Sequence, residues 1–132
     1  TGEKKINKNI LIILFTSDFY KFYYALNLAS TYQACDKKVT VYFTGFSCNF
    51  LRKDWEKYDA MNYSKSFTKT QMTSYKDVLS LCKELKVKFF FCKTAIDFLG
   101  INKKMILNSL EIEELSLYHI INKHKDNKTL FI

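Results

Sequence analysis

The sequence predicts an α/β fold with a mainly parallel sheet, and two observations carry that reading. Four short apolar runs, at 9–15 (NILIILF), 38–44 (KVTVYFT), 87–92 (VKFFFC) and 129–132 (TLFI), are rich in β-forming residues and lack strict alternation. Such runs suit strands that are covered on both faces. Between them the apolar residues recur every three or four positions, which is the period of a helix with one buried side. Strands and helices in alternation stack into layers around a parallel sheet.

Taken in order, residues 1–8 read as a polar, solvated tail and 9–132 as a single domain. The first strand at 9–15 leads into a helix from 18 to about 35, with Phe19, Phe22, Leu26 and Ala29 on one side. Ser17 or Asp18 supplies its N-cap. The second strand at 38–44 is followed by the least regular stretch, 46–73, expected to hold loops and a helix around 51–61. Tyr75, Val78, Leu79, Cys82 and Leu85 mark the next helix. After the third strand at 87–92, a short fourth strand is expected near 107–111, then a long helix over 112–124 and the final strand. Right-handed crossovers place helices on both faces. The result is a flavodoxin-like three-layer sandwich of about five strands.

Composition narrows the function. At 132 residues the chain can bury a core without disulfides or metals. No apolar run approaches the ~20 residues of a membrane helix, and no signal-peptide pattern precedes the best run, so a cytoplasmic location is expected. Cys35, Cys48, Cys82 and Cys92 include no C-x-x-C pair, and His119 and His124 are five apart, a spacing that splits them between helix sides. Neither a structural zinc site nor a thioredoxin-type redox pair is expected. With no proline, neither a thioredoxin cis-proline nor the proline-led motif of a peroxidatic cysteine exists. The net charge of +8 comes from dispersed lysines. That pattern fits a solvated surface better than attraction of anions, acidic partner proteins or nucleic acid, and no RNA-recognition signature accompanies it. Gly2, Gly45 and Gly100 are too few for a phosphate-cradling loop.

In parallel sheets, chemistry gathers at the carboxyl ends of the strands. Three segments should meet there: Thr16-Ser17-Asp18, Gly45-Phe46-Ser47-Cys48 and Cys92-Lys93-Thr94. Cys82 lies on a helix stripe and reads as core, and Cys35 at a helix end reads as packing. Cys48 is a possible second thiol. Cys92 sits where a strand yields to a helix start, whose N–H groups and dipole favour a thiolate, with Lys93 adjacent. A packed strand-end cysteine fits it equally on these grounds. Asp97, one turn on, and Thr94 suit either site support or simple capping.

The segment Cys92-Lys93-Thr94-Ala95-Ile96-Asp97-Phe98-Leu99-Gly100-Ile101 resembles the Cys-x-x-Ser-x-Asp-x-x-Gly-aliphatic segment of the DsrE/DsrF-like family, also called peroxiredoxin-related. Cys92, Asp97, Gly100 and Ile101 match, and Ala95 replaces the frequent serine. Ser17 to Lys21 with Ala25 to Ala29 resembles that family's first loop and helix. Val39 to Thr44, Leu51-Arg52-Lys53 and Leu130-Phe131-Ile132 resemble its second strand, a loop ending and its terminal strand. Gly45 to Cys48 departs from the family's Phe-x-Gly arrangement, and Glu113-Glu114 stands where relatives often carry glycines.

The resemblance implies a DsrE-like domain in a sulfur relay. Cys92 would carry sulfane sulfur as a persulfide or thiosulfonate between a donor protein and an acceptor thiol. It implies a homotrimer or hexamer, and a sulfurtransferase-like carrier rather than a true peroxidase. No metal, flavin or other cofactor is required. Ser17, Asp18, Lys93, Thr94 and Asp97 are candidate supports of the Cys92 site. The alternative is a non-catalytic oligomeric module that binds a small anion or an acidic partner on the same scaffold.

Overall fold

A computed structural model describes residues 9–132; the expected tail at 1–8 lies outside them. Five strands form one sheet: β1 (Asn9–Leu14), β2 (Lys38–Phe43), β3 (Lys88–Phe91), β4 (Glu113–Glu114) and β5 (Lys128–Phe131). Their order is β4-β3-β2-β1-β5, and every neighbouring pair is parallel. The connecting helices are α1 (Phe19–Ala34), α2 (Tyr63–Lys69), α3 (Tyr75–Glu84), α4 (Lys93–Phe98) and α5 (Leu117–Lys123).

The layers follow from crossover handedness. The chain steps outward from β1 to β4, then returns to the far side of β1 for β5. A right-handed return reverses the face, so α5 lies opposite α1 and α3. Alternation along each strand sorts the side chains. Ile10, Ile12, Leu14, Val41, Phe43, Phe89 and Phe91 join α1 and α3 in the main core. Leu11, Ile13 and Tyr42 face the other way and pack with Ile120 of α5. The main core is strongly aromatic, with Phe19 stacked on Trp55 at 5.0 Å and edge-on to Phe50 at 5.3 Å.

Several expectations hold and three are corrected. Asp18, not Ser17, caps α1, accepting the Lys21 N–H at 3.0 Å. The helix expected around 51–61 is instead two 3-10 turns, Gly45–Leu51 and Trp55–Tyr58, with α2 following at Tyr63. Asp59 explains the shift: it is buried and accepts the N–H groups of Tyr63 and Ser64 at 3.0 and 2.9 Å, which starts the helix late. The fourth strand lies at Glu113–Glu114 rather than 107–111. Leu107 is held elsewhere, since its N–H binds the Leu51 carbonyl at 2.8 Å. The long helix expected over 112–124 is confined to α5, because Ser116 caps it through the His119 N–H at 3.1 Å and the four residues before it are spent on the sheet edge. Ile112, like Leu107 and Leu110, packs against the main core from that edge.

Candidate functional site at the carboxyl edge of the sheet

The ends of β1, β2 and β3 are tied together by hydrogen bonds. The Thr44 N–H binds the Leu14 carbonyl at 2.9 Å, and the Cys92 N–H binds the Phe43 carbonyl at 2.9 Å. Ser47 locks the turn after β2 onto β1: its hydroxyl reaches the carbonyls of Leu14 and Thr44 at 2.6 and 2.8 Å. Gly45 makes this turn possible. Its φ of +55° is left-handed, and a side chain there would run into the Phe15 ring. The three expected segments therefore share one edge.

Cys92 occupies the N-cap of α4 and is partly exposed, packing against both cores. Burial opposes its ionisation. Four donors outweigh that effect and hold the thiol below its ordinary range: the Tyr42 hydroxyl, the Ala95 N–H, the Thr44 hydroxyl and the Thr94 N–H. Cys92 makes no side-chain capping bond of full geometry. The pull of the α4 N–H groups is thus electrostatic and partial, and the short helix adds little dipole of its own.

Tyr42 has one hydroxyl proton and two calls on it. It donates to the Leu115 carbonyl at 2.8 Å and is also a partner of Cys92. Both arrangements are consistent if they alternate. With a thiol, the Tyr42 proton goes to Leu115 and its oxygen can accept from the S–H. With a thiolate, the proton turns to Sγ. Burial and then the Cys92 interactions push the Tyr42 pKa well up, so the phenol stays a donor wherever the thiolate exists.

The other thiols differ. Cys48 is fully buried, and burial, with a smaller contribution from the charge of nearby Cys92, pushes it up to about 12. It stands beside the site as a neutral thiol. Cys82 is buried in the main core, pushed up to about 12 by burial, and donates to the Leu26 carbonyl at 3.4 Å. Cys35 is exposed at the end of α1.

Among the expected supports, Lys93 and Asp97 pair with each other at 3.7 Å on the exposed side of α4. Thr94 is exposed and contributes through its backbone. Ser17 is exposed, and Asp18 is committed to capping α1.

Sequence reasoning missed Tyr42 and Thr44, the two side-chain donors to Cys92. Their signal was present: in KVTVYFT the hydroxyl residues Thr40, Tyr42 and Thr44 alternate, so they share one face of β2. It also missed the aromatic rim, where Phe15 contacts Phe46 at 5.6 Å and Phe131 at 5.8 Å, all three exposed.

No cluster of histidine, cysteine and carboxylate side chains suited to a metal occurs among the described residues. No helix among them is long and apolar enough to cross a membrane.

Solved structures of other proteins share the fold. MTH1491 from Methanobacterium thermoautotrophicum, described as a protein of unknown function, has a TM-score of 0.67 at 13% identity, covering 94% of this chain and 98% of that one. BT1422 from Bacteroides thetaiotaomicron, a conserved protein of unknown function, gives 0.68 at 14% identity, with 96% of each chain covered. The ychN protein from E. coli gives 0.64 at 14% identity, covering 96% of this chain and all of that one. No curated protein sequence matches this chain. The sequence profile of the DsrE/DsrF-like family matches residues 8–131. That match spans the whole sheet and the Cys92 turn, and the chain belongs to the DsrE/DsrF-like family.

Proposed function

We propose that the protein is a sulfur-relay carrier that holds sulfane sulfur on Cys92. The observation that carries this reading is the contrast among thiols. Cys92 is part-exposed and eased toward the thiolate, whereas the buried thiols of Cys48, beside it, and Cys82, in the main core, are pushed up to about 12. Thiolate exchange requires access and a lowered pKa together.

In the loading step, the Cys92 thiolate attacks the outer sulfur of a donor persulfide. A Cys92 S–S bond forms, the donor S–S bond breaks, and the donor leaves as a thiolate. In unloading, an acceptor thiolate attacks the outer sulfur and Cys92 departs as a thiolate. Each step exchanges one S–S bond for another, so no external oxidant or reductant is consumed. The Tyr42 and Thr44 hydroxyls and the Ala95 and Thr94 N–H groups stabilise the negative sulfur at the start of loading and at the end of unloading. Cys48 is a bystander in this cycle.

The partners are a donor and an acceptor protein that present thiols at the carboxyl edge. The carrier works as a homotrimer or hexamer in the cytoplasm. Support for assembly comes from the thin second face of the sheet. A seven-residue α5 covers it, with Leu117, Tyr118 and Ile121 exposed on that helix, and Phe131 is exposed in ring contact with Phe15, which also meets Phe46. Exposed large apolar side chains in this number are a feature of subunit contacts.

The test is to incubate the reduced protein with a persulfide or polythionate donor and map added mass by peptide. Added sulfur confined to Cys92, and lost in Cys92→Ser, is expected. Modification of Cys48 alone, or of all thiols equally, overturns the assignment.

A further inference from the structure

A second concentration of functional groups lies at the opposite, amino-terminal end of the strands. Lys38 and Lys88 are the first residues of β2 and β3. Alternation puts Lys38 on the same face as Tyr42, and Lys88 on the same face as Phe90, which is the α5 side. Lys86 reaches the same place from the turn before β3, where its own backbone is left-handed at φ +67°. Lys123 and His124 arrive from the end of α5. Together they line a cleft of about 440 Å³ that carries four lysines and, among the described residues, no carboxylate.

We propose that this cleft binds a small ligand bearing two or more phosphate groups, at a site separate from Cys92. Four ammonium groups around one cavity repel one another unless an anion joins them. Among the described residues, Lys38, Lys86 and Lys88 form no ion pair, and the Lys123 ammonium lies over the Phe90 ring at 5.3 Å.

His124 supplies the independent observation. It is only 8% exposed. Its Nδ1 lies 2.7 Å from the Asn127 side-chain nitrogen, which as placed can only donate. The proton of the neutral ring is therefore on Nε2, and Nε2 is buried with no partner. A buried donor without a partner keeps its full desolvation penalty. His124 lines the cleft, and an oxygen of an anion held by the lysines would satisfy Nε2 once the ring turns toward it. Burial, then Lys123 and Lys88, lower the His124 pKa, which keeps the ring in this neutral donor form.

Size and surroundings select the class of anion. The cleft is within the range of small-molecule sites and too large for one monovalent ion. Lysine is a common phosphate binder, acting as a point charge. An adjoining groove of about 910 Å³ shares Lys86, Lys88 and Lys123 and adds the apolar walls of Phe90 and Leu110, room for an organic body beyond the phosphates. The carboxylates Glu111 and Glu113 line that groove and not the cleft.

The experiment is calorimetric titration of the full chain with inorganic pyrophosphate, with sodium sulfate at matched ionic strength as the control. Side-chain ¹H–¹⁵N spectra would follow the His124 imidazole. Saturable pyrophosphate binding is expected, weakened at least tenfold in the Lys38→Gln/Lys88→Gln double variant, with a shift of the His124 Nε2–H resonance. Cys92→Ser should bind pyrophosphate like the unaltered chain, and the double lysine variant should still load sulfur on Cys92. That pair separates failure of this site from failure of the relay reading. His124→Phe should also weaken binding; if it does not fold, the lysine variant and the imidazole resonance decide. Absence of saturable binding, equal binding of sulfate, tighter binding of an acidic polyglutamate peptide, or an affinity unchanged in the lysine variant would each overturn the proposal.

Discussion

Replacing Tyr42 by Phe tests whether the thiolate at Cys92 is set by its neighbours. The phenyl ring keeps the fully buried packing of Tyr42 and deletes one donor shared between Sγ and the Leu115 carbonyl. A hydrogen bond to a charged group contributes about 1.5–3 kcal/mol. Because Sγ is only partly buried, the low end applies. At 1.36 kcal/mol per pKa unit, the Cys92 pKa should rise by about one. While pH stays below both pKa values, the thiolate fraction falls about tenfold. Intrinsic nucleophilicity rises with basicity, with a Brønsted slope of about 0.4–0.5, returning roughly threefold. Alkylation of Cys92 by iodoacetamide should therefore slow about three- to fourfold at pH values below both pKa values. At alkaline pH, where both proteins are fully ionised, it should be about threefold faster in the variant. Peptide-resolved mass spectrometry across pH reads both limits. A rate ratio that is flat with pH, in a variant whose circular dichroism is unchanged, refutes the role given to Tyr42. Loss of the Leu115 partner should also lower stability by about 1 kcal/mol.

The remaining expectations concern stability and support. Gly45→Ala should be much more damaging than Gly100→Ala. Both backbones are left-handed, but a new side chain at Gly45 meets the Phe15 ring whereas Gly100 has open space. Thermal melts should show a drop of about 1 kcal/mol for Gly100→Ala from conformation alone and at least twice that for Gly45→Ala, partly relieved by adding Phe15→Ala. Asp59→Ala should cost about 1–2 kcal/mol in urea denaturation, since it removes both capping acceptors of α2. Asp97→Ala should change stability by less than about 0.5 kcal/mol and leave persulfide loading nearly intact, because its pair with Lys93 is exposed. Cys82 has a folded-state pKa pushed up to about 12 from an ordinary 9, so its contribution is fully present below pH 9 and lost as pH rises toward 12. Melting temperature should therefore fall more steeply across that window in the unaltered chain than in Cys82→Ala.

Much of the fold was legible because its strands are buried on both sides. Apart from Asn9, Lys38 and Lys88, residues 9–15, 38–44 and 87–92 are apolar, aromatic or β-branched, and each became a strand within a residue or two of its expected ends. The first helix was legible for a different reason: Asp18 states where it begins, and the stripe of Phe19, Phe22 and Leu26 states which side it buries. The errors fall where the chain lies at an edge. Residues 107–115 have apolar members at irregular spacing, and their backbone partners are as distant as Leu51 and Phe91. No local period encodes such partners. The α2 start depends in the same way on a single buried carboxylate, Asp59, which composition alone would place on the surface.

The site divides along the same line. Cys92 could be placed from the sequence because a strand end and a helix start are both local features. What sets its chemistry is not local. Tyr42 and Thr44 come from the neighbouring strand, and only parallel pairing, with Phe43 opposite Phe91, brings them to Sγ. The charge of the nearby lysine, which the sequence made prominent, is diverted to Asp97. A part-exposed cysteine at the N-cap of a six-residue helix would on its own be an ordinary thiol. Its thiolate character depends on a strand partner some fifty residues away, so variants on β2 should alter reactivity more than variants on the exposed side of α4.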